Sequence, residues 1–111
     1  MLPTFSALAE PNRLRIIELL REGPRPVGEI AARLRLRQPQ VSKHLRVLSA
    51  AGLVEVHPAA QQRIYQLRAA QFQALDDWLA AYRQFKEASY DRLEEHLNVL
   101  QAMEKQDGRP D

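Results

Sequence analysis

Polar side chains between residues 38 and 46 have the types and spacing needed to hydrogen-bond nucleic acid from one side of a helix. The large apolar residues Val41, Leu45 and Leu48 recur at steps of four and three, so they line the opposite side. Glutamine pairs with adenine edges, arginine and lysine with guanine or phosphate, and serine with either. The polar set consists of Gln38, Gln40, Ser42, Lys43 and Arg46.

An ordinary solvent-exposed helix face is the alternative, because any amphipathic surface helix carries polar residues outside. The surrounding charge favours nucleic acid, since no Asp or Glu interrupts the basic residues of this stretch. Those residues are Arg33, Arg35, Arg37, Lys43 and Arg46. Pro39 suits a first helical turn and Gly52 suits a helix stop. We therefore predict a recognition helix over residues 38–51.

Length and composition indicate one globular domain, because 111 residues with 45% hydrophobic and 27% charged side chains are too few for two cores. No stretch is long and apolar enough to span a membrane, and the N-terminus lacks the basic segment and apolar run of a signal peptide. We expect a cytoplasmic protein without a membrane partner. The absence of cysteine excludes disulfides and thiolate metal sites.

The net charge of +2 hides an asymmetry along the chain. Residues 1–68 contain eleven Arg or Lys against five Asp or Glu, which gives +6, whereas residues 69–111 contain five against nine, which gives −4. A basic segment is typical of proteins that bind a partner rich in phosphate. An acidic segment is repelled by such a partner. The charge pattern predicts two parts with separate roles.

The segment before the predicted recognition helix indicates three further helices. Thr4 or Ser6 can cap a short first helix. Pro11 begins a second helix, whose crowded apolar residues indicate burial on more than one side. Residues 26–34 are predicted to form a two-turn helix, and residues 35–37 connect it tightly to the next. The inward residues of this helix are Val27, Ile30, Ala31 and Leu34. Two helices joined by a short turn, the second of which has a polar outer face, form a helix-turn-helix.

After Gly52 the pattern changes to the two-residue period of strands. Residues 53–57 and 62–67 alternate apolar with polar side chains, and residues 58–61 lie between them as a loop. A hairpin in this place makes a wing, which extends the DNA-binding region to residues 57–63. Arg63 near the tip is expected to contact phosphate or the minor groove, the alternative being a solvent-exposed arginine on an edge strand.

The helical period returns near Ala70 and has neither Gly nor Pro to stop it before Gln106. The apolar pattern changes phase near residues 82–86, so we allow for a bend there. So long an apolar stripe needs a partner helix, and a second copy in a symmetric dimer is the simplest partner. The expected dimer residues are Phe5, Leu75, Leu79, Tyr82, Leu93, Leu97 and Leu100.

These patterns predict a mainly α fold with a small β-hairpin, a winged helix-turn-helix with a long C-terminal dimerisation helix. The whole chain, 1–111, is expected to be a single domain. Within it, residues 4–68 form the DNA-binding core and residues 69–106 the dimerisation helix. Residues 107–111 are expected to be a frayed tail.

Four segments give the chain a resemblance to the ArsR-type (ArsR/SmtB) winged-helix transcriptional repressors of bacteria and archaea. They are ALAEPNRLRIIELL at 7–20, VGEIA at 27–31, QPQVSKHLRVL at 38–48 and AGLV at 51–54. Their combination, within roughly Phe5 to Leu67, is specific. The resemblance implies a homodimer that represses transcription by occupying an operator on double-stranded DNA, with the last helix in dimerisation. Residues 75–85 resemble a metal-free branch of the family.

Family members that respond to metals imply two places to look for ligands. One uses a Cys-x-Cys pair in the helix before the recognition helix, where residues 26–29 offer only one carboxylate. The other uses Asp, His and Glu of the last helix. Here Asp91 and His96 are five residues apart and share no face, although Glu94 and Glu95 lie beside them. We predict no metal and no cofactor, and a metal-responsive repressor with a non-cysteine site on the last helix is the alternative.

The chain has no Gly-rich phosphate loop, nucleophile elbow or carboxylate and histidine pair at catalytic spacing, so we predict that it is not an enzyme. A winged helix that binds only another protein is a second alternative. The separation of basic from acidic segments favours DNA over that alternative. The resemblance leaves the inducer open between an organic ligand, a protein partner and none.

The predicted DNA contacts divide into base and phosphate contacts. The base contacts are Gln38, Gln40, Ser42 and Arg46, and the phosphate contacts are Arg37, Lys43, His44 and Arg63. His44 is included because it matches a histidine of the family motif. Arg37 stands where the family commonly has a capping serine, and it is a poor helix cap.

Overall fold

The computed structural model describes residues 1–107 and contains helices and one small antiparallel sheet. The elements are α1 (Leu2–Leu8), α2 (Pro11–Leu20), β1 (Arg25–Pro26), α3 (Val27–Leu34), α4 (Gln38–Ala50), β2 (Val54–Ala59), β3 (Gln62–Leu67) and α5 (Ala69–Asp107). This architecture confirms the predicted winged helix-turn-helix with a long last helix. Of the predicted tail, Asp107 ends α5 and residues 108–111 lie outside the described residues. Contacts divide the chain into two compact units, Met1–Leu75 and a second that begins at Asp76.

The core of the first unit is apolar and comes from the helices before the wing and the start of β2. Its fully buried large side chains are Ile16, Ile30, Val41, Leu45, Leu48 and Leu53. The steps of four and three in α4 therefore predicted its buried side correctly. Helix α2 is less completely covered than its crowded sequence suggested, because Leu14 remains 45% exposed.

The joint between α3 and α4 is closed by a left-handed residue, Arg35, with φ of 57°. The N–H of Leu36 donates to the carbonyl of Ala31 at 3.0 Å, a backbone hydrogen bond that closes the end of the helix. Arg15 of α2 donates from Nη2 to the carbonyl of Leu34 at 2.9 Å. These contacts hold the short turn from which α4 begins.

The sheet has the order β1-β3-β2, with both neighbouring pairs antiparallel. The predicted loop over residues 58–61 was too long, because Pro58 and Ala59 continue β2 and pair with Arg63 and Gln62. Only residues 60 and 61 form the turn. Strand β2 lies at the edge, where the missing N–H of Pro58 breaks no ladder bond to a further strand. Strand β1 was not predicted, since two residues show no alternation.

The start of the chain differs from expectation. Helix α1 begins after Met1, so Thr4 lies within it and is buried rather than acting as its cap. The change of phase near residues 82–86 falls within α5, and the bend allowed for there stays a prediction. No helix of the described residues is both long and apolar enough to cross a membrane.

Candidate nucleic-acid interface

Helix α4 separates a buried apolar side from an exposed polar side. Val41, Leu45 and Leu48 have no exposed surface and anchor the helix in the core. The exposed residues include Gln38, Gln40, Lys43 and Arg46. The last three of these, together with Pro39, line one shallow groove. The chain therefore presents amide, ammonium and guanidinium groups together on a helix that its own core holds in place.

The N-terminus of α4 has no side-chain cap. Arg37 occupies the cap position in an extended conformation and makes no capping hydrogen bond, and a proline follows in the first turn. The N–H groups of that turn therefore have no side-chain acceptor, and the positive end of the helix dipole is uncompensated. Such an end favours an anion, and phosphate is the anion that a DNA backbone supplies.

Four basic residues predicted to bind DNA form no ion pair with a carboxylate in the part of the chain that the structure describes. They are Arg37, Lys43, Arg46 and Arg63, and all four are exposed. Arg33 differs from them, because its Nη2 lies 3.7 Å from Oε2 of Glu22. The four unpaired side chains keep their full charge for an external anion.

The wing and the start of the recognition helix meet at one groove of about 630 Å³. Arg63 of β3, opposite Pro58 in the sheet register, and Gln38 of α4 both line this groove. The remaining lining residues are Pro26, Val27, Gly28, Glu29, Gln61 and Gln62. The fold thus brings together two predicted contact residues that are far apart in sequence.

His44 does not share the exposure of its neighbours on α4. Its side chain is only 15% exposed, and its Nδ1 lies 3.7 Å from Oε2 of Glu10. The same carboxylate oxygen accepts a 2.8 Å hydrogen bond from the backbone N–H of Arg13 and so caps α2. The Nδ1 of His44 therefore faces the junction of α1 and α2, and the phosphate contact of His44 stays a prediction. Ser42 is also half-buried.

Three arginines have positioning roles that the sequence did not reveal. Arg13 donates from Nε to the carbonyl of Ala7 at 2.7 Å, and Arg15 holds the end of α3 as described above. Arg25 donates to Glu29 at 2.6 Å, at the edge of the wing groove. The contacts of Arg13 and Arg15 with backbone carbonyls depend on how the chain folds, whereas the i,i+4 spacing of Arg25 and Glu29 could have indicated their ion pair.

The base of the wing carries a small polar cluster. The amide of Gln66 on β3 donates to Glu55 on β2 at 2.8 Å, and Nε2 of His57 lies 3.5 Å from the same carboxylate. The pKa of Glu55 is lowered from its ordinary value of 4.5, first by the hydrogen bond from Gln66 and then by His57. Cross-strand contacts of this kind help to fix the register of the hairpin.

The predicted dimer residues lie in both units. Phe5 is in the first unit, where Leu75 is half-buried. In the second unit the exposed apolar residues include Leu79, Tyr82, Leu93, Leu97 and Leu100. The residues that the structure describes contain no group of three or more His, Cys, Asp or Glu able to hold a metal ion.

The chain is similar in sequence to known regulators of transcription. A family profile described as a helix-turn-helix domain matches residues 8–57. The HTH-type transcriptional regulator Rv2034 of Mycobacterium tuberculosis is 48% identical over 63 residues, which are 57% of this chain and 59% of the relative. The transcriptional repressor SdpR of Bacillus subtilis is 31% identical over 75 residues, which are 68% of this chain and 83% of the relative.

A solved structure described as the ArsR family transcriptional regulator RHA00566 matches with a TM-score of 0.66 and 29% identity. The matched region covers 77% of this chain and 88% of the chain in that structure. The chain belongs to the ArsR family. This confirms the resemblance carried by the four sequence segments. The chain spans 59% or less of the length of several of the transcriptional regulators that it matches. One of the other matched winged-helix structures is described as homodimeric.

Proposed function

We propose that this ArsR-family protein is a homodimeric transcriptional repressor that binds an inverted-repeat operator through α4 and the wing. The observation that supports this most directly is the exposed face of α4, where Gln40, Lys43 and Arg46 lie together without a carboxylate partner among the described residues. A face that bound only an apolar protein surface would have no use for three such groups. Its chemistry suits base edges and phosphates.

In this proposal Gln38, Gln40 and Arg46 read bases in the major groove, with Ser42 beside them. Arg37 and Lys43 bind phosphates near the start and middle of α4, and Arg63 binds the backbone or minor groove from the wing. The Nδ1 of His44 lies 3.7 Å from Oε2 of Glu10, and in this proposal His44 contributes to DNA binding indirectly, through its packing between α4 and that carboxylate.

The dimer follows from the exposed apolar residues of α5, which need a covering partner. Two copies related by a two-fold axis match an inverted repeat, with half-sites about 34 Å apart or a multiple of that distance. The proposed regulator acts in the cytoplasm, and without cysteine it cannot use a thiolate-bound metal to release DNA.

Selection from a random pool of DNA duplexes tests the DNA-binding part of the proposal. We expect enrichment of an inverted repeat. In fluorescence anisotropy that duplex should bind two protomers, with an affinity that falls steeply as salt rises and that does not change with added zinc. A scrambled duplex of equal composition is the control. Failure to enrich any sequence would contradict the proposal and favour a protein-binding role.

Substitution of Leu93 by Glu tests the dimer. We expect monomers in sedimentation and at least a tenfold loss of affinity for the selected duplex, because an unpaired charge would lie in the interface. Asn98 lies on another side of the same helix and is exposed, so Asn98→Glu is the matched control. A folded Leu93→Glu monomer that binds DNA with unchanged affinity would contradict a functional dimer.

A further inference from the structure

The beginning of the second unit carries a groove lined by three aromatic rings and one carboxylate. The groove has a volume of about 520 Å³, which is within the range of small-molecule sites in proteins. Its lining residues are Asp77, Trp78, Ala81, Tyr82 and Phe85. All of them belong to α5 and to the second unit, so the groove does not depend on how the two units are arranged.

The spacing of the lining residues explains why they share one side of α5. Trp78, Tyr82 and Phe85 follow one another at steps of four and three. Asp77, Ala81 and Phe85 follow one another at steps of four, so two neighbouring rows of side chains meet at Phe85. The small side chain of Ala81 separates the carboxylate from the last ring without filling the groove.

The aromatic rings of the groove remain open to solvent. The ring centres of Trp78 and Tyr82 are 4.6 Å apart, with their planes tilted by 37°. The exposed fractions of the three aromatic residues lie between 38% and 66%. A ligand that covers these rings removes apolar surface from water, and the negative faces of the rings attract a positive charge.

The charge of the groove is negative, because Asp77 is its one ionisable carboxylate and none of its described lining residues is basic. The two basic residues that follow it most closely in sequence interact elsewhere. Nη1 of Arg83 lies 3.1 Å from Oδ1 of Asp76, and Nζ of Lys86 lies 5.5 Å from the centre of the Tyr90 ring. The groove therefore favours a cation from outside and repels an anion.

We infer that this groove binds a small organic cation. Its quaternary or protonated ammonium group interacts with Asp77 and the ring faces, and its apolar part covers Trp78 and Tyr82. A hard metal cation does not suit the groove, because it requires several oxygen ligands and the lining offers one carboxylate and one phenol. The inference concerns α5 alone and does not rest on the proposed function.

The groove lies beside the predicted dimer residues of α5. Leu79 is not among its lining residues, and Tyr82 is the residue that both sets share. At 100° per residue, Trp78 and Phe85 lie about 100° and 120° around the helix axis from Leu79. A partner helix that packs on Leu79 therefore leaves room for a ligand at the edge of the proposed interface.

The fluorescence of Trp78 tests the inference on the intact chain, because it is the single tryptophan. The protein is titrated with phenyltrimethylammonium. The control ligand is tert-butylbenzene, its neutral isostere, in which carbon replaces the charged nitrogen. We expect a saturable change in fluorescence with phenyltrimethylammonium and about tenfold weaker binding of tert-butylbenzene, because the neutral ligand gains nothing from the carboxylate or from the ring charge.

Three variants locate the binding and separate charge from apolar contact. Asp77→Asn removes the charge and should weaken binding of the cation about fivefold, without affecting tert-butylbenzene. Phe85→Leu keeps an apolar side chain and removes one ring, so it should weaken binding of the cation about threefold. Glu87 is exposed and does not line the groove, so Glu87→Gln, which changes the net charge equally, is the matched control.

The outcomes separate this inference from the proposed function. Equal affinity for the two ligands, equal effects of Asp77→Asn and Glu87→Gln, or no saturable change with the cation would each overturn the inference. A protein that binds the cation yet enriches no DNA duplex would contradict the proposed repressor and leave this inference standing. A protein that binds its selected duplex but not the cation would overturn this inference alone.

Discussion

Gln71 in the first turn of α5 donates a 2.6 Å hydrogen bond from Nε2 to the hydroxyl of Thr4, which is buried in α1 and 1% exposed. The two residues are 67 positions apart in sequence. Thr4 is the buried polar residue of the described core, so its hydroxyl depends on this partner. The bond joins the start of the chain to the start of the last helix.

The Gln71→Ala variant should lose about 1–3 kcal/mol of unfolding free energy, because the buried hydroxyl of Thr4 would lose its amide partner. The Thr4→Val variant should lose less unfolding free energy, since the half-buried amide of Gln71 can turn toward water. Urea denaturation of both variants and of the double variant gives the coupling free energy. A Gln71→Ala protein no less stable than Thr4→Val would contradict this account.

Replacing Arg37 with serine should raise stability and lower the affinity for DNA. Arg37 occupies the N-cap position of α4 without capping it, whereas serine supplies an oxygen acceptor for the N–H groups of the first turn. The free energy of unfolding should therefore increase by about 1 kcal/mol. The same change removes one positive charge at the helix end, so the affinity for DNA should fall and the slope of log affinity against log salt should decrease by about 0.9.

The matched control for Arg37→Ser is Arg37→Lys, which keeps the charge and supplies no cap. It should retain most of the salt slope and gain no stability. Denaturation and anisotropy on the same samples measure both quantities. If Arg37→Ser were more stable and also bound DNA as tightly as the parent, the phosphate contact proposed for Arg37 would be wrong.

The parts of the fold that the sequence predicted are those set by local periodicity. Val41, Leu45 and Leu48 follow the helical period, so the buried side of α4 was known before the structure. The wing also followed from alternation after Gly52. Its turn was misplaced because proline usually ends a strand, whereas Pro58 sits on an edge strand that tolerates it.

The parts that the sequence did not predict depend on contacts between distant residues. His44 lies within the same polar motif as Lys43, and only the position of Glu10 shows that its Nδ1 faces inward. Likewise, Thr4 was expected to cap a helix, since the spacing does not show that Gln71 reaches it. Side-chain direction at these positions comes from the packing of α1, α2 and α4.

The wing should lose stability in acid through Glu55. Its pKa is lower in the folded protein than the ordinary value of 4.5, so its carboxylate stabilises the fold above that pH. The contribution is lost as the pH falls from 4.5 through the folded pKa. Glu55→Gln keeps an acceptor for Gln66 but cannot titrate, so its stability should fall less than that of the parent over this range. Parallel pH dependences in urea denaturation would contradict the prediction.

Gln40 and Lys43 line the same groove of α4, yet they should affect DNA binding differently. Lys43→Ala should weaken binding to all sequences alike and reduce the salt slope by about 0.9, because it removes one phosphate contact. Gln40→Ala should relax the preference at one base pair, by about 1–3 kcal/mol, and leave the salt slope unchanged. Anisotropy with the selected duplex and with duplexes changed at single positions measures both effects. Since glutamine and lysine are one turn apart on a helix fixed by the same core, differences in folding cannot explain such a contrast. An equal loss of specificity in both variants would show that the assignment of base and phosphate contacts is wrong.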